Sequence, residues 1–228
     1  MSFEHRYAKN KNMLSDEEMT HLAKKRVCVV GCGGLGGYVI EFLTRLGIGH
    51  ITVIDGDVFD ETNLNRQLIS TESLLGYSKA MATYERMISV NSEIEIIPVV
   101  SYVTDENAHS ILAGHDLVID ALDNISSRKI VADACFTLEI PFIHGAIAGW
   151  YGQVSTIFPG DKSFSHLYRN TENKGEEQKL GNPSFTPALV ASIEVSEAVK
   201  VLLGRGDLLR NKFLHIDLFS NEFEVFDL

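Results

Sequence analysis

Cysteine is scarce in this sequence, and its few positions argue against two structural solutions. Cys28, Cys32 and Cys135 are an odd number in a chain of 228 residues, which argues against a disulfide framework and predicts small buried hydrophobes. No C-x-x-C pair occurs and no cysteine follows Cys135, so a cysteine-based tetrahedral zinc site in the C-terminal half is excluded. Long apolar runs are also missing: the longest are strand-sized, well short of the roughly 20 residues of a membrane span. The N-terminal stretch MSFEHRYAKNKNMLSDEEM has no apolar h-region, so a soluble, cytoplasmic protein without a membrane partner is expected. Basic charge is in deficit, with 20 Lys and Arg against 31 Asp and Glu and a formal net charge of −11. No basic footprint remains for a phosphodiester backbone, which argues against nucleic acid as a partner.

The apolar content of 45% suffices for one substantial core, and one domain over residues 1–228 is expected. Its parts are an N-terminal helical arm (1–25), a nucleotide-binding part (26–150) and a C-terminal part (151–228) holding a crossover loop, a helix and antiparallel strands. RVCVV is a β-rich run that breaks into GCGGLGG and resumes as the helical pattern YVIEFLTRLG, and HITVID follows as a second strand ending in an acid. KAMATYERMISVN has helical spacing, and IEIIPVV reads as a strand whose Pro98 places it at an edge or a strand end. HDLVID ends in Asp120, ALDNISSR follows as a loop, IVADACFTLE reads as a helix and PFIHGA as the next strand. This alternation predicts an α/β fold with a Rossmann-like, doubly wound sheet, parallel in its N-terminal part. YGQVSTIFP and FLHIDLFSNEFEVFDL alternate with period two, the latter around a Ser220-Asn221 turn, and predict antiparallel strands that extend the sheet. SFSHLYRNTENKGEEQKLGNPSF lacks a periodic apolar face and reads as a mobile loop, whereas ALVASIEVSEAVKVLLG returns to helical spacing and closes with Gly204.

Gly31, Gly33 and Gly36 match G-x-G-x-x-G between a strand and a helix, where glycine allows a tight turn and lets backbone N–H groups approach phosphate. A merely structural turn is the bland alternative. Asp55 ends the second strand about 20 residues on, where an acid accepts hydrogen bonds from ribose hydroxyls. An NAD-dependent dehydrogenase would look the same to this point. What separates the two is DGDVFDETNLNRQ, then Lys79, then LDNISSR. A single surface Arg or Lys is ordinarily just solvated, but a set of them serves adenylation. Carboxylate attack on the α-phosphate expels pyrophosphate, and the charge that grows on the phosphate oxygens is met by Arg, Lys or Mg²⁺. Arg66 and Lys79 are the candidate cationic donors and Asp123 the candidate metal holder.

GCGGLG, the acid of VIDGDVFD, TNLNRQ, Lys79 in GYSKA and the strand-end DNISSR together resemble the ThiF/MoeB/HesA adenylyltransferases, relatives of the ubiquitin-activating enzymes. The resemblance runs from about Arg6 to the C-terminus and is densest up to Gly145. It implies that Gly34 and its neighbours cradle phosphate and that Asp55 holds the ribose. Asn63 and Arg66 would contact the phosphates, Lys79 the α-phosphate, and Asp123 would support Mg²⁺. Asn124 would complete the nucleotide pocket, to which Asp57 and Asn65 in the same segments belong. It also implies a homodimer in which an N-terminal arginine of one subunit completes the other's site.

This sequence departs from the family pattern in three places. The N-terminal R-Y-S/N-R-Q appears as RYAKN, so Lys9 stands where the transferred arginine would be and lacks its bidentate fork. The zinc cysteines of many relatives are absent. The crossover loop reads LGNPSF where thioester-forming relatives carry a nucleophilic cysteine, which predicts adenylation without an enzyme-bound thioester at that position. Cys32 lies near a helix N-terminus, where a thiol pKa can fall, but a packing role is favoured because a nucleotide would occlude it. A satisfied interior position is favoured for His144. Trp150 and Tyr151 fit either core packing or a groove for an extended tail, and Arg128 either a phosphate or a local salt bridge.

The leading expectation is ATP- and Mg²⁺-dependent adenylation, without zinc, of the Gly-Gly tail of a ubiquitin-like sulfur carrier of the ThiS or MoaD type. A small-molecule carboxylate as acceptor, an NAD-dependent oxidoreductase and a non-catalytic binding subunit are the alternatives.

Overall fold

The computed structural model describes residues 3–168 and 177–228. Eight strands form one sheet in the order β3-β2-β1-β4-β5-β6-β7-β8. The first five are β1 (Arg26–Val30), β2 (His50–Ile54), β3 (Glu95–Val99), β4 (Leu117–Asp120) and β5 (Phe142–Ala148), and they run parallel. β6 (Tyr151–Ile157), β7 (Lys212–Asp217) and β8 (Glu222–Asp227) continue antiparallel. Pro98 sits on β3, the edge strand, where its missing N–H costs no ladder bond, as its position in the sequence suggests. The Ser220-Asn221 turn joins β7 to β8, with Asn221 at φ 60°.

The helices are α1 (Phe3–Arg6), α2 (Asp16–Leu22), α3 (Gly34–Leu46), α4 (Lys79–Val90), α5 (Ala108–Leu112), α6 (Ile125–Leu138), α7 (Ser163–Leu167), α8 (Glu177–Leu180) and α9 (Phe185–Leu203). The central strand β1 is buried on both faces, which is why RVCVV reads as a continuous apolar run. Val27 and Val29 pack with α3, α4 and α9 through Val39, Ile40, Met87 and Val190. Cys28 and Val30 face the other way, toward α5 and α6 through Leu112, Val131 and Cys135. The pleat thus assigns alternate residues of one strand to two helical layers. All three cysteines are buried and free.

The N-terminal arm is helical in two pieces. Ser15 caps α2 in a reciprocal box with Glu18, leaving Met19 and Leu22 to dock on the core.

The stretch read as a mobile loop is a correction in part. It carries α7 and α8, while residues 169–176 lie outside the described residues. α7 is held by Phe164, whose ring meets Phe142 edge-on at 5.9 Å. One aromatic gives no periodic face, so the sequence pattern does not reveal this anchor. Among the described residues no helix is long and apolar enough to cross a membrane.

Candidate active site

In a sheet ordered 3-2-1-4-5, the chain leaves β1 and β4 in opposite directions, which opens a crevice at their C-terminal ends. The glycine loop fills that point. Gly31 takes φ 103° and donates its N–H to Ile54 O at 2.8 Å. Gly36 lies so close behind that a Cβ on it would sit 1.8 Å from Gly31 O. The first turn of α3 therefore folds back on the strand end. α3 has no side-chain cap at its start, so its first N–H groups remain free for a ligand.

Asp55 follows β2 and braces this loop. One carboxylate oxygen accepts the Cys32 N–H at 2.8 Å and the other the Asp57 N–H at 2.8 Å. Burial raises the Asp55 carboxyl despite these two donors. Each oxygen keeps a further lone pair for another donor. Burial pushes the Cys32 thiol up, and the Asp55 charge adds to it, so the helix N-terminus does not activate this sulfur.

A cavity of about 330 Å³ opens on the loop. Gly31, Gly33, Gly34, Asp55, Asp57, Arg66, Lys79, Asp123 and Asn124 all line it. Lys79 is the first residue of α4 and is buried, and its ammonium lies 3.0 Å from Asp57 Oδ2. Tyr102 donates its hydroxyl to Asp57 Oδ1 at 2.6 Å. Burial alone would raise the Asp57 carboxyl, but the bonds from Tyr102 and Lys79 outweigh it and hold the group low. The Arg66 side chain lies over Gly34, and its Nη1 donates to Thr62 O and to Asn65 Oδ1, both at 2.9 Å. Asp123 is exposed at the mouth, and its Oδ1 accepts from Asn124 Nδ2 at 3.3 Å. Asn124 caps α6, accepting the Ser127 N–H at 2.8 Å.

Four of the candidate residues, Lys9 among them as a residue expected to serve the other subunit, do not line this chain's cavity. Gly36 supports the loop from behind. Asn63 is buried, and its Oδ1 accepts the Asp60 N–H at 3.0 Å, closing the short turn at 61–63. Asn65 donates to Asn182 O at 3.1 Å. Lys9 is exposed on the N-terminal arm, which is fastened at the opposite end of the sheet. There the Tyr7 ring lies against Gly47, just before β2, and its hydroxyl accepts from Asn91 at 2.7 Å. The length of a strand separates that point from Asp55.

A family model described as the ThiF family matches residues 7–228. The chain belongs to the ThiF family. It is 33% identical over 212 residues to the SAMP-activating enzyme E1 of Haloferax volcanii, covering 92% of this chain and 78% of that protein. It is 30% identical over 213 residues to the molybdopterin-synthase adenylyltransferase of Salmonella typhimurium, covering 91% of this chain and 84% of that one. Several longer curated relatives are spanned over only about half their length. The crystal structure of E. coli MccB with MccA-N7isoASN superposes with a TM-score of 0.85 at 20% identity, over 100% of this chain and 72% of that one, which shows the shared fold.

Below the cavity this ThiF-family chain carries a polar network that sequence reasoning missed. Asp120 and His144 are register partners on β4 and β5 and are fully buried. His144 Nδ1 lies 2.7 Å from Asp120 Oδ2, and its Nε2 lies 2.9 Å from the Tyr168 hydroxyl. Arg128 donates Nη1 to the same hydroxyl at 2.7 Å and Nε to Leu122 O at 3.1 Å. Donors and acceptors run one way, from Arg128 to Tyr168 to His144 to Asp120. Burial holds the His144 imidazole below its ordinary range, consistent with the neutral tautomer this chain of bonds requires. The interior reading of His144 holds, and Arg128 is anchored locally while also lining the cavity. Trp150 packs on Phe185 and Phe219 at 46% exposure, and Tyr151 stacks on His215. The strand-end acid and PFIHGA, read as neighbours in register, would have revealed the Asp120–His144 pair.

Glu194 on α9 is a second buried acid. It is 0% exposed behind Gly145, and neither oxygen has a hydrogen-bond partner among the described residues. Burial, reinforced by the Asp120 charge, pushes its carboxyl well above the usual range.

Proposed function

We propose that this chain is an ATP-dependent adenylyltransferase that activates the C-terminal glycine carboxylate of a small ubiquitin-like sulfur carrier of the ThiS or MoaD type. One carboxylate oxygen attacks the α-phosphorus, the bond from that phosphorus to the bridging oxygen breaks, and acyl-adenylate and pyrophosphate result. The observation that carries this reading is the meeting of Lys79 and Arg66 at a cavity floored by free helix N–H groups, with Asp55 beside it. The names of the Haloferax and Salmonella relatives support it.

The triphosphate lies along the glycine loop with its ribose toward Asp55. Lys79 then exchanges the Asp57 carboxylate for α-phosphate oxygens, where charge grows during attack. The exposed Asp123 carboxylate would hold Mg²⁺, a hard cation that binds through one or two protein carboxylates. When bound, the metal neutralises phosphate charge. No cysteine stands in the crossover segment from 160 to 184, so the product is the acyl-adenylate and sulfur reaches it from another protein. The reading includes a homodimer in which Lys9 of one copy supplies positive charge to the other's cavity.

ATP–pyrophosphate exchange with candidate carriers and small carboxylates tests the proposal. Lys79→Ala and Asp123→Ala are each expected to lower exchange on the order of 100-fold or more. Exchange indifferent to both substitutions, or a cavity that binds NADH and not ATP, refutes it.

A further inference from the structure

Two carboxamides in the cavity wall have oxygens that nothing among the described residues satisfies. Gln67 is 6% exposed and lies beside Gly33, where a Cβ would stand 3.6 Å from its Nε2. Asn182 belongs to the segment entering α9 and lines the same cavity. Gln67 Oε1 and Asn182 Oδ1 are both buried, and neither has a hydrogen-bond donor among the described residues. Buried acceptors without donors are few in native structures, and two in one wall point to a ligand that brings the donors.

With the nucleotide placed as proposed above, it does not bring them: its phosphates carry oxygen acceptors only, and the donors of its adenosine end lie toward Asp55, which follows β2. Asn182 stands on the β5 side, where its neighbour Gly181 accepts the Gly149 N–H at 2.7 Å. Asn65 Nδ2 holds the Asn182 backbone carbonyl with the 3.1 Å bond. The two carboxamides are thus held where the second substrate must enter. The last torsion of an Asn or Gln side chain is broad, so each oxygen turns into the cavity without rotamer strain. A carboxamide offers one acceptor and two donors, the complement of a peptide unit.

We propose that Gln67 and Asn182 read the peptide groups next to the reacting carboxylate, so that the acceptor is an amide-bearing chain end rather than a simple organic acid. This rests on the adenylation reading above and assigns the part of the site that chooses the acceptor. The Gln67 and Asn182 oxygens accept N–H groups of the last peptide units, and the tail lies extended between the 61–67 turn and the segment at 181–184.

The test uses a carrier of the ThiS or MoaD type prepared by semisynthesis in two forms, ending in glycine or in glycolate, whose ester oxygen replaces the last peptide N–H. In pyrophosphate exchange with the unaltered enzyme, the glycolate form is expected to raise KM on the order of 10- to 100-fold while kcat changes less. Gln67→Leu combined with Asn182→Leu is expected to bring the two forms within about threefold of each other, because the acceptors are gone. Equal KM values for both forms with the unaltered enzyme overturn the inference and leave adenylation standing. So does exchange with acetate or succinate as efficient as with the glycine carrier. No exchange with the glycine carrier overturns the adenylation reading and this inference with it.

Discussion

Gly36→Ala and Gly34→Ala separate the two reasons for which this loop needs glycine. A Cβ on Gly36 would lie 1.8 Å from Gly31 O, and real Cβ contacts essentially never fall below 3.0 Å, so backbone must retreat by at least 1.2 Å. Overpacking of this kind costs about 1–3 kcal/mol. A chain of this size loses roughly 2–4 °C of Tm per kcal/mol. The same retreat moves the N–H groups of the loop, and misplacement of ~1 Å near a reacting centre costs on the order of 100-fold in rate. A Cβ on Gly34 meets nothing nearer than Arg66 Cγ at 3.5 Å, an ordinary contact, and alanine suits the first turn of a helix. Gly34→Ala is therefore expected to melt within about 2 °C of the unaltered protein, since a harmless substitution stays within ~0.5 kcal/mol. Its methyl still stands where phosphate would approach, and ATP affinity is expected to fall on the order of tenfold, the worth of one charge-assisted hydrogen bond. Thermal melting with and without ATP, together with calorimetric titration, reads both effects. If Gly36→Ala melted with the unaltered protein, or Gly34→Ala bound ATP as tightly, the division of labour in the loop would be wrong.

Other outcomes follow from the buried groups. Glu194 has a folded pKa raised by burial, so the folded state holds its proton at pH values where the unfolded chain has lost it. Stability attached to this group is complete below the unfolded value and declines as pH rises toward the folded one. Melting curves of Glu194→Gln should therefore match the unaltered protein near pH 4.5 and lie above it at pH 8, and a gap that did not widen with pH would contradict the assignment. Tyr168→Phe removes the hydroxyl that accepts from Arg128 Nη1 and faces His144 Nε2, and denaturant unfolding is expected to show a loss of about 1–3 kcal/mol. Asn65→Leu removes the bond to Asn182 O, which is expected to raise KM for the carrier more than KM for ATP in pyrophosphate exchange.

Much of the fold is legible because it follows from local alternation. The strand, glycine turn and helix from Arg26 to Leu46, the edge position of Pro98 and the Asn221 hairpin each have a short-range signature. What is not legible depends on pairing across the sheet. Asp120 and His144 are 24 residues apart and meet only because β4 and β5 align in register. The site residues divide in the same way. Motif letters such as Asn63 and Arg66 lie three apart, yet one closes a local turn while the other reaches the cavity. A motif records that both are needed and not which of the two faces a ligand. The unmet oxygens of Gln67 and Asn182 have no sequence signal, since an unsatisfied group is defined by its surroundings.

The Asp57–Lys79 pair also bears on how fast the nucleotide arrives. An ammonium that already has a carboxylate at 3.0 Å projects little positive potential into solution. The chain as a whole carries −11, so the approaching triphosphate meets mutual repulsion rather than attraction. Capture then depends on short-range exchange of one anion for another, and added salt, by screening the repulsion, should quicken association instead of slowing it.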